Sequence, residues 1–200
     1  MWTWSLNWSK ITDQIVVGTC PMAPADLHRI SEKTGISAVL SLQHDECLAF
    51  WGIDYEWMQR TAEALGLKMV RCPIRDFDLE DMRRQVPTAV KMLSRLIGGS
   101  HRVYVHCTAG MGRAPFTVLG YLFLVEGYHP DEAIQLILAS RPEAVPAGEA
   151  LEGCVADLTA QHWEAINRRA YELYEQGVNS DAHSDWLQAQ FETLRSVLKS

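Results

Sequence analysis

Apolar positions along the chain follow two alternating rhythms. Short β-branched runs at Gln14–Gly18, Ser37–Leu42, Lys68–Pro73 and Arg102–His106 each predict a strand. Between them apolar residues return every three or four places, which predicts helices over Pro24–Thr34, Tyr55–Leu65 and Leu79–Ile97. In the last of these Val86, Val90, Leu93 and Ile97 mark one face, and Gly98-Gly99 supplies a stop. Further helices are predicted at Arg113–Val125, from Pro130 to about Ser140, and at Leu151–Leu158, Trp163–Gln176 and Asp185–Leu198. The stretch through Asp45, Phe50 and Trp51 reads as irregular. Strands alternating with helices imply an α/β fold, a central and mostly parallel sheet flanked by helices on both faces. The expected division is one domain over residues 1–160 and a C-terminal helical hairpin over 161–200.

The most informative interruption is His106-Cys107-Thr108-Ala109-Gly110-Met111-Gly112-Arg113-Ala114-Pro115, set between a predicted strand and a predicted helix. Strand, glycine loop and helix N-terminus together build an anion cradle: successive amides turn inward and the helix dipole favours negative charge. Such a place lowers a thiol pKa, so Cys107 is the candidate nucleophile. Arg113 adds a planar fork for two phosphate oxygens. Thr108, Ala109, Gly110, Met111 and Gly112 are the expected cradle. Cys20, Cys47, Cys72 and Cys154 have no arginine at the same spacing; Asp26, Ile53, Asp78 and Ala160 stand there instead. The pattern predicts phosphate-ester chemistry through a covalent thiophosphate. No metal or other cofactor is expected, because Arg113 and the amides supply positive charge. His106 precedes the nucleophile in a strand and so points to the opposite face, as a structural hydrogen-bonding residue.

Thiolate attack needs a proton donor for the departing oxygen and then a base for water, and one carboxyl can do both. The segment Arg71-Cys72-Pro73-Ile74-Arg75-Asp76-Phe77-Asp78 follows a predicted strand and belongs at the same sheet edge. Asp76 is the first choice for this acid and Asp78 the reserve, while Glu80 and Asp81 suit a helix's first turn.

Composition narrows the partners. Of the 200 residues 48% are hydrophobic and the net charge is −7 with no long basic run, so neither nucleic acid nor an anionic membrane is an expected partner. Five cysteines without Cys-x-x-Cys spacing point to a reducing compartment, hence a cytoplasmic protein. The opening Met1–Asn7 lacks the charge and apolar core of a signal peptide, and Ala114–Val125 is too short to span a bilayer.

His106–Pro115 resembles the signature of the cysteine-dependent dual-specificity phosphatases, and in detail that of the plant starch-excess glucan phosphatases. Leu6-Asn7-Trp8, Ile15–Cys20, Leu42-Gln43-His44-Asp45, Ile74–Asp78 and Glu126-Gly127-Tyr128 are similar to that group in the same order, so the likeness covers roughly Leu6 to Leu158. It implies the same fold, with Cys107 as nucleophile, Arg113 as phosphate ligand and Asp76 as acid. The implied substrate is a phosphorylated glucan, with a smaller phosphosugar or a phosphoprotein as alternatives. It also implies a sugar-stacking platform at Trp8, Phe50, Trp51 and Phe77. Arg141–Pro146 departs from the plant group by lacking an aromatic residue. The tail from about Ile166 to Leu194 resembles a short bacterial domain of unknown function, which implies a bacterial chain. Two rival readings are a glycan-binding or adaptor module with a vestigial loop, and a sulfurtransferase, which also uses a cysteine in a six-residue loop.

Overall fold

The computed structural model describes residues 3–179 and 181–200. Met1, Trp2 and Ser180, which fall in the opening segment and in the turn expected before the last helix, lie outside the described residues. Strands β1 (Trp8–Lys10), β2 (Ile15–Gly18), β3 (Ala38–Gln43), β4 (Lys68–Ile74) and β5 (Val103–His106) form one sheet in the order β1-β2-β5-β3-β4. β1 runs antiparallel to β2, and every other pairing is parallel. β5 is central: Val103 is in register with Ile15 on one side and Ala38 on the other. The chain leaving β5 at His106 therefore emerges mid-sheet, at the carboxyl edge where ligands of such folds bind.

Alternation along the strands feeds two cores. Ile15, Val17, Leu40, Val103 and Val105 join one apolar cluster, while Val16, Val39 and Tyr104 join the other. Both faces are buried, which is why these strands read as continuous apolar runs. Each fully buried Leu, Ile or Val contributes about 1.5–3 kcal/mol. The second cluster is closed by α1 (Pro24–Thr34) through Leu27 and Ile30, and by α3 (Tyr55–Ala64) through Met58 and Ala62. The first is closed by α4 (Leu79–Gly98), α5 (Arg113–Tyr121), α6 (Pro130–Ser140) and α7 (Gly148–Gln161).

Three elements differ from expectation. The segment expected to be irregular is a helix, α2 (Asp45–Trp51), with His44 as its N-cap and Gly52 closing it at φ 63°. The helix expected to run to Val125 ends at Tyr121 and continues as a π-helical turn, Leu122–Glu126, closed by Gly127 at φ 87°. β1 was not predicted at all; it is an edge strand of three residues, too short for a periodic signal.

The hairpin of α8 (Trp163–Gln176) and α9 (Ala182–Lys199) packs on α4 and the π turn. Ile166, Leu173, Ala189, Leu194 and Leu198 enter the same apolar cluster as Val90 and Leu93. Arg169 Nε bonds Glu192 at 2.8 Å, and the Trp163 and Trp186 rings lie 5.9 Å apart, so the two helices are joined by more than their turn. Among the described residues no helix is long and apolar enough to cross a membrane.

Candidate active site

From Cys107 to Gly112 the chain forms a loop between β5 and α5, and all six of its carbonyls are engaged from outside. His106 Nδ1 lies 3.0 Å from the Cys107 oxygen, and the Cys20 amide donates to Thr108 at 3.0 Å. Arg141 donates from Nη2 to Ala109 at 3.0 Å and from Nε to Gly110 at 2.7 Å. The Val145 amide takes Met111 at 2.7 Å and the Phe116 amide takes Gly112 at 2.9 Å. A trans peptide is planar, with its C=O and the following N–H pointing oppositely. Carbonyls held outward therefore turn the amides of residues 108 to 113 inward, and among the described residues none from Thr108 to Gly112 donates to a protein acceptor. This is a ring of donors at a helix N-terminus, the geometry that binds anions.

Gly110 makes the tight turn possible. Its φ is +68°, and a Cβ there would stand 2.5 Å from the Gly18 carbonyl. Only a residue without a side chain allows the loop to pack onto the end of β2.

Arg113 is 1% exposed and lies against the ring. Its Nη2 donates to Asp76 Oδ2 at 2.6 Å and to Thr108 Oγ1 at 3.2 Å, and its Nη1 donates to the Ile74 carbonyl at 2.9 Å. Cys47 Sγ stands 3.3 Å from Nη1. Arg113 Nε is buried and has no acceptor among the described residues. Burial works against its charge, yet Cys107, Asp76 and Cys47 together hold its pKa above the ordinary arginine value. A buried guanidinium with one unanswered donor, beside a ring of inward amides, has the donor arrangement that suits an oxyanion.

The structure thus brings together Cys107, Arg113, Asp76 and the loop Thr108–Gly112. Cys107 is 2% exposed, while the Asp76 side chain is 37% exposed at the end of β4. The reserve acid Asp78 is occupied elsewhere: it is the N-cap of α4 and accepts from the Asp81 amide at 2.9 Å. His106 lies on the opposite face from the loop's opening, its ring 5.8 Å from that of Tyr104. Burial, with a smaller contribution from Arg113, pushes its pKa down to about 4, so at neutral pH it is an uncharged donor to the Cys107 carbonyl.

The four expected aromatic residues divide into two kinds. Phe50 on α2 is 80% exposed and Phe77, beside Asp76, is 95% exposed. Trp8 and Trp51 are partly buried against the second apolar cluster, and the Phe50 ring meets Trp51 edge-on at 5.3 Å. Phe77 also holds φ at +58°, a conformation that side chains rarely adopt.

Several site residues were not foreseen. Gln43 donates to Thr108 Oγ1 at 3.3 Å, Cys47 touches Arg113, and Arg141 braces the loop from behind. An arginine closing α6 before a proline reads as ordinary charge at a helix end, so only the fold reveals its burial.

Residues 22–151 match the family model of the dual specificity phosphatase catalytic domain. The chain belongs to that family. It is 34% identical over 155 residues to the amyloplastic phosphoglucan phosphatase DSP4 of Castanea sativa, covering 76% of this chain and 41% of that protein. It is 38% identical over 117 residues to the chloroplastic phosphoglucan phosphatase LSF1 of Arabidopsis thaliana, covering 58% of this chain and 20% of that protein. Laforin of Mus musculus is 26% identical over 170 residues, covering 78% of this chain and 50% of laforin. This chain therefore spans half or less of the length of these relatives. Among solved structures it is similar in fold to Tk-PTP in its active form, with a TM-score of 0.60 at 21% identity, covering 73% of this chain and 92% of that one. The human tyrosine phosphatase-like serine/threonine/tyrosine-interacting protein gives a TM-score of 0.59 at 18% identity, covering 80% and 97%.

Proposed function

We propose that this dual-specificity phosphatase hydrolyses phosphomonoesters through a cysteinyl-phosphate on Cys107, with a phosphorylated glucan as its substrate. The Cys107 thiolate attacks phosphorus, and the ester oxygen leaves with the proton of Asp76. Water then attacks the phosphorus of the thiophosphate and passes its proton to the Asp76 carboxylate, releasing phosphate and restoring the thiolate. Arg113 and the inward amides carry the charge that gathers on the three non-bridging oxygens.

The observation that carries this reading is the outward engagement of the loop's six carbonyls, which supports a donor ring, with Arg113 and Asp76 bonded beside it. The glucan assignment is supported by the phosphoglucan phosphatases among its relatives and by the exposed Phe50 and Phe77 rings. Rings standing in solvent suit sugar faces, which stack on aromatic surfaces. Five free cysteines support a cytoplasmic setting.

The test is hydrolysis of an aryl phosphate and of phosphorylated amylopectin, each with wild type and Cys107→Ser. Both activities are expected in the wild type and neither in the variant. Turnover that survives in the variant overturns the covalent route. A wild type that prefers a phosphotyrosine peptide to amylopectin by tenfold or more overturns the glucan assignment.

A further inference from the structure

Arg141 is 1% exposed, far from ordinary for a side chain that keeps its charge at every physiological pH. It closes α6 and turns back under the phosphate loop, where Nε donates to Gly110 and Nη2 donates to Ala109. Nη2 also donates to Asn7 Oδ1 at 2.8 Å, and Glu143 Oε1 lies 3.4 Å away. Asn7 is itself pinned: its amide donates to Thr19 Oγ1 at 3.1 Å, and its carbonyl accepts from the Thr19 amide at 3.1 Å. A Cβ on Gly18 would stand 2.6 Å from the Asn7 carbonyl. Asn7, Gly18, Gly110 and Arg141 thus form one closely packed stack behind the ring.

We infer that Arg141, clamped by Asn7, is a positioning residue for phosphate binding. It holds the carbonyls of Ala109 and Gly110 away from the ring, so the amides of Gly110 and Met111 face the phosphate. A loop with two free carbonyls could rotate either peptide and present an oxygen to the anion instead. Arg141 also places a fixed positive charge behind the ring without touching the substrate. Lysine cannot replace it in full, since one ammonium lacks the planar fork that reaches two neighbouring carbonyls and an amide oxygen together. This inference rests on the proposed reading of the loop as a phosphate site.

The experiment measures tungstate affinity by calorimetry and the pH dependence of Cys107 alkylation by iodoacetamide, in wild type, Arg141→Lys and Asn7→Ala. Thermal unfolding and near-UV dichroism establish that each variant is folded. Arg141→Lys should weaken tungstate about tenfold and move the alkylation profile to higher pH, while Asn7→Ala should do both by a smaller factor. Should Arg141→Lys fail to fold, Asn7→Ala decides alone, because it leaves the buried charge in place. A folded variant with wild-type tungstate affinity and an unmoved profile overturns the inference. A wild type that neither binds tungstate nor turns over an aryl phosphate overturns the proposed function instead.

Discussion

Arg113 Nη2 lies 2.6 Å from Asp76 Oδ2, and this ion pair ties the loop after β5 to the loop after β4. The two strands are not neighbours, because β3 stands between them. Arg113 spans the gap by also donating to the Ile74 carbonyl and to Thr108 Oγ1. One guanidinium thus holds the loop after β5 and the Asp76 carboxylate together. Arg113→Lys is expected to lower kcat/KM for an aryl phosphate by roughly a hundredfold or more, since a single ammonium cannot hold these partners and phosphate together.

The two carboxylates of the β4 loop should separate cleanly under mutation. Asp76→Ala is expected to cut kcat by about 10²–10⁴-fold for esters with poor leaving groups, and far less for an activated aryl ester. Asp78→Ala should keep the leaving-group dependence of the wild type. It should instead lose about 1 kcal/mol of stability in urea, because Asp78 caps α4. The reverse pattern would reassign the acid.

Gly110→Ala tests the packing behind the ring. The new methyl group meets the Gly18 carbonyl at 2.5 Å and Arg141 Nη2 at 2.8 Å, in a backbone conformation with φ +68°. Nothing there is a flexible side-chain end except Arg141, which is fully buried. The variant should be destabilised by about 2 kcal/mol or more and should lose tungstate binding, as read by thermal unfolding and calorimetry. Gly112→Ala is the control for stability alone, since a Cβ there meets nothing within 4 Å and its φ is negative.

Much of this arrangement was legible before any coordinates. The β-branched runs located β2 to β5, and proline and glycine punctuation placed α1, α6 and α8 at their observed ends. That Cys107 and Arg113 stand at the two ends of one loop between strand and helix was legible, because the spacing is local. α2 was missed even though His44, Asp45 and Gly52 carry capping signals, since seven residues are too few to show a helical period. The π turn after Tyr121 leaves the apolar pattern unbroken, so periodicity could not reveal it. Arg141 and Gln43 act through partners distant in the chain, which no local pattern encodes.

His106 makes the fold sensitive to mild acid. Its folded-state pKa, pushed down to about 4 by burial, lies below the ordinary value of 6.5. The unfolded chain therefore binds the proton more readily. The stability due to neutral His106 is whole above pH 6.5 and is lost as pH falls, until both states are protonated below pH 4. Linkage sets the loss at about 2 kcal/mol by pH 5. Urea unfolding at pH 7 and pH 5 should show that decline, and His106→Gln should flatten it. Equal slopes in the two proteins would place the acid sensitivity elsewhere.

The exposed rings give the sharpest test of substrate class, because exposure separates function from stability. Phe50 and Phe77 are 80% and 95% exposed, so their truncation removes almost no buried area. Phe50→Ala and Phe77→Ala should both leave the unfolding temperature unchanged, since alanine at position 77 keeps the Cβ that a positive φ crowds. Trp8→Ala and Trp51→Ala should lower it, since both rings pack against the second apolar cluster. On phosphorylated amylopectin each phenylalanine variant is expected to raise KM several-fold, as aromatic contacts are worth roughly 0.5–1.5 kcal/mol apiece. On a small aryl phosphate, which reaches only the ring and Arg113, KM should stay where it was. An equal change on both substrates would mean that these rings shape the catalytic loops and do not hold sugar.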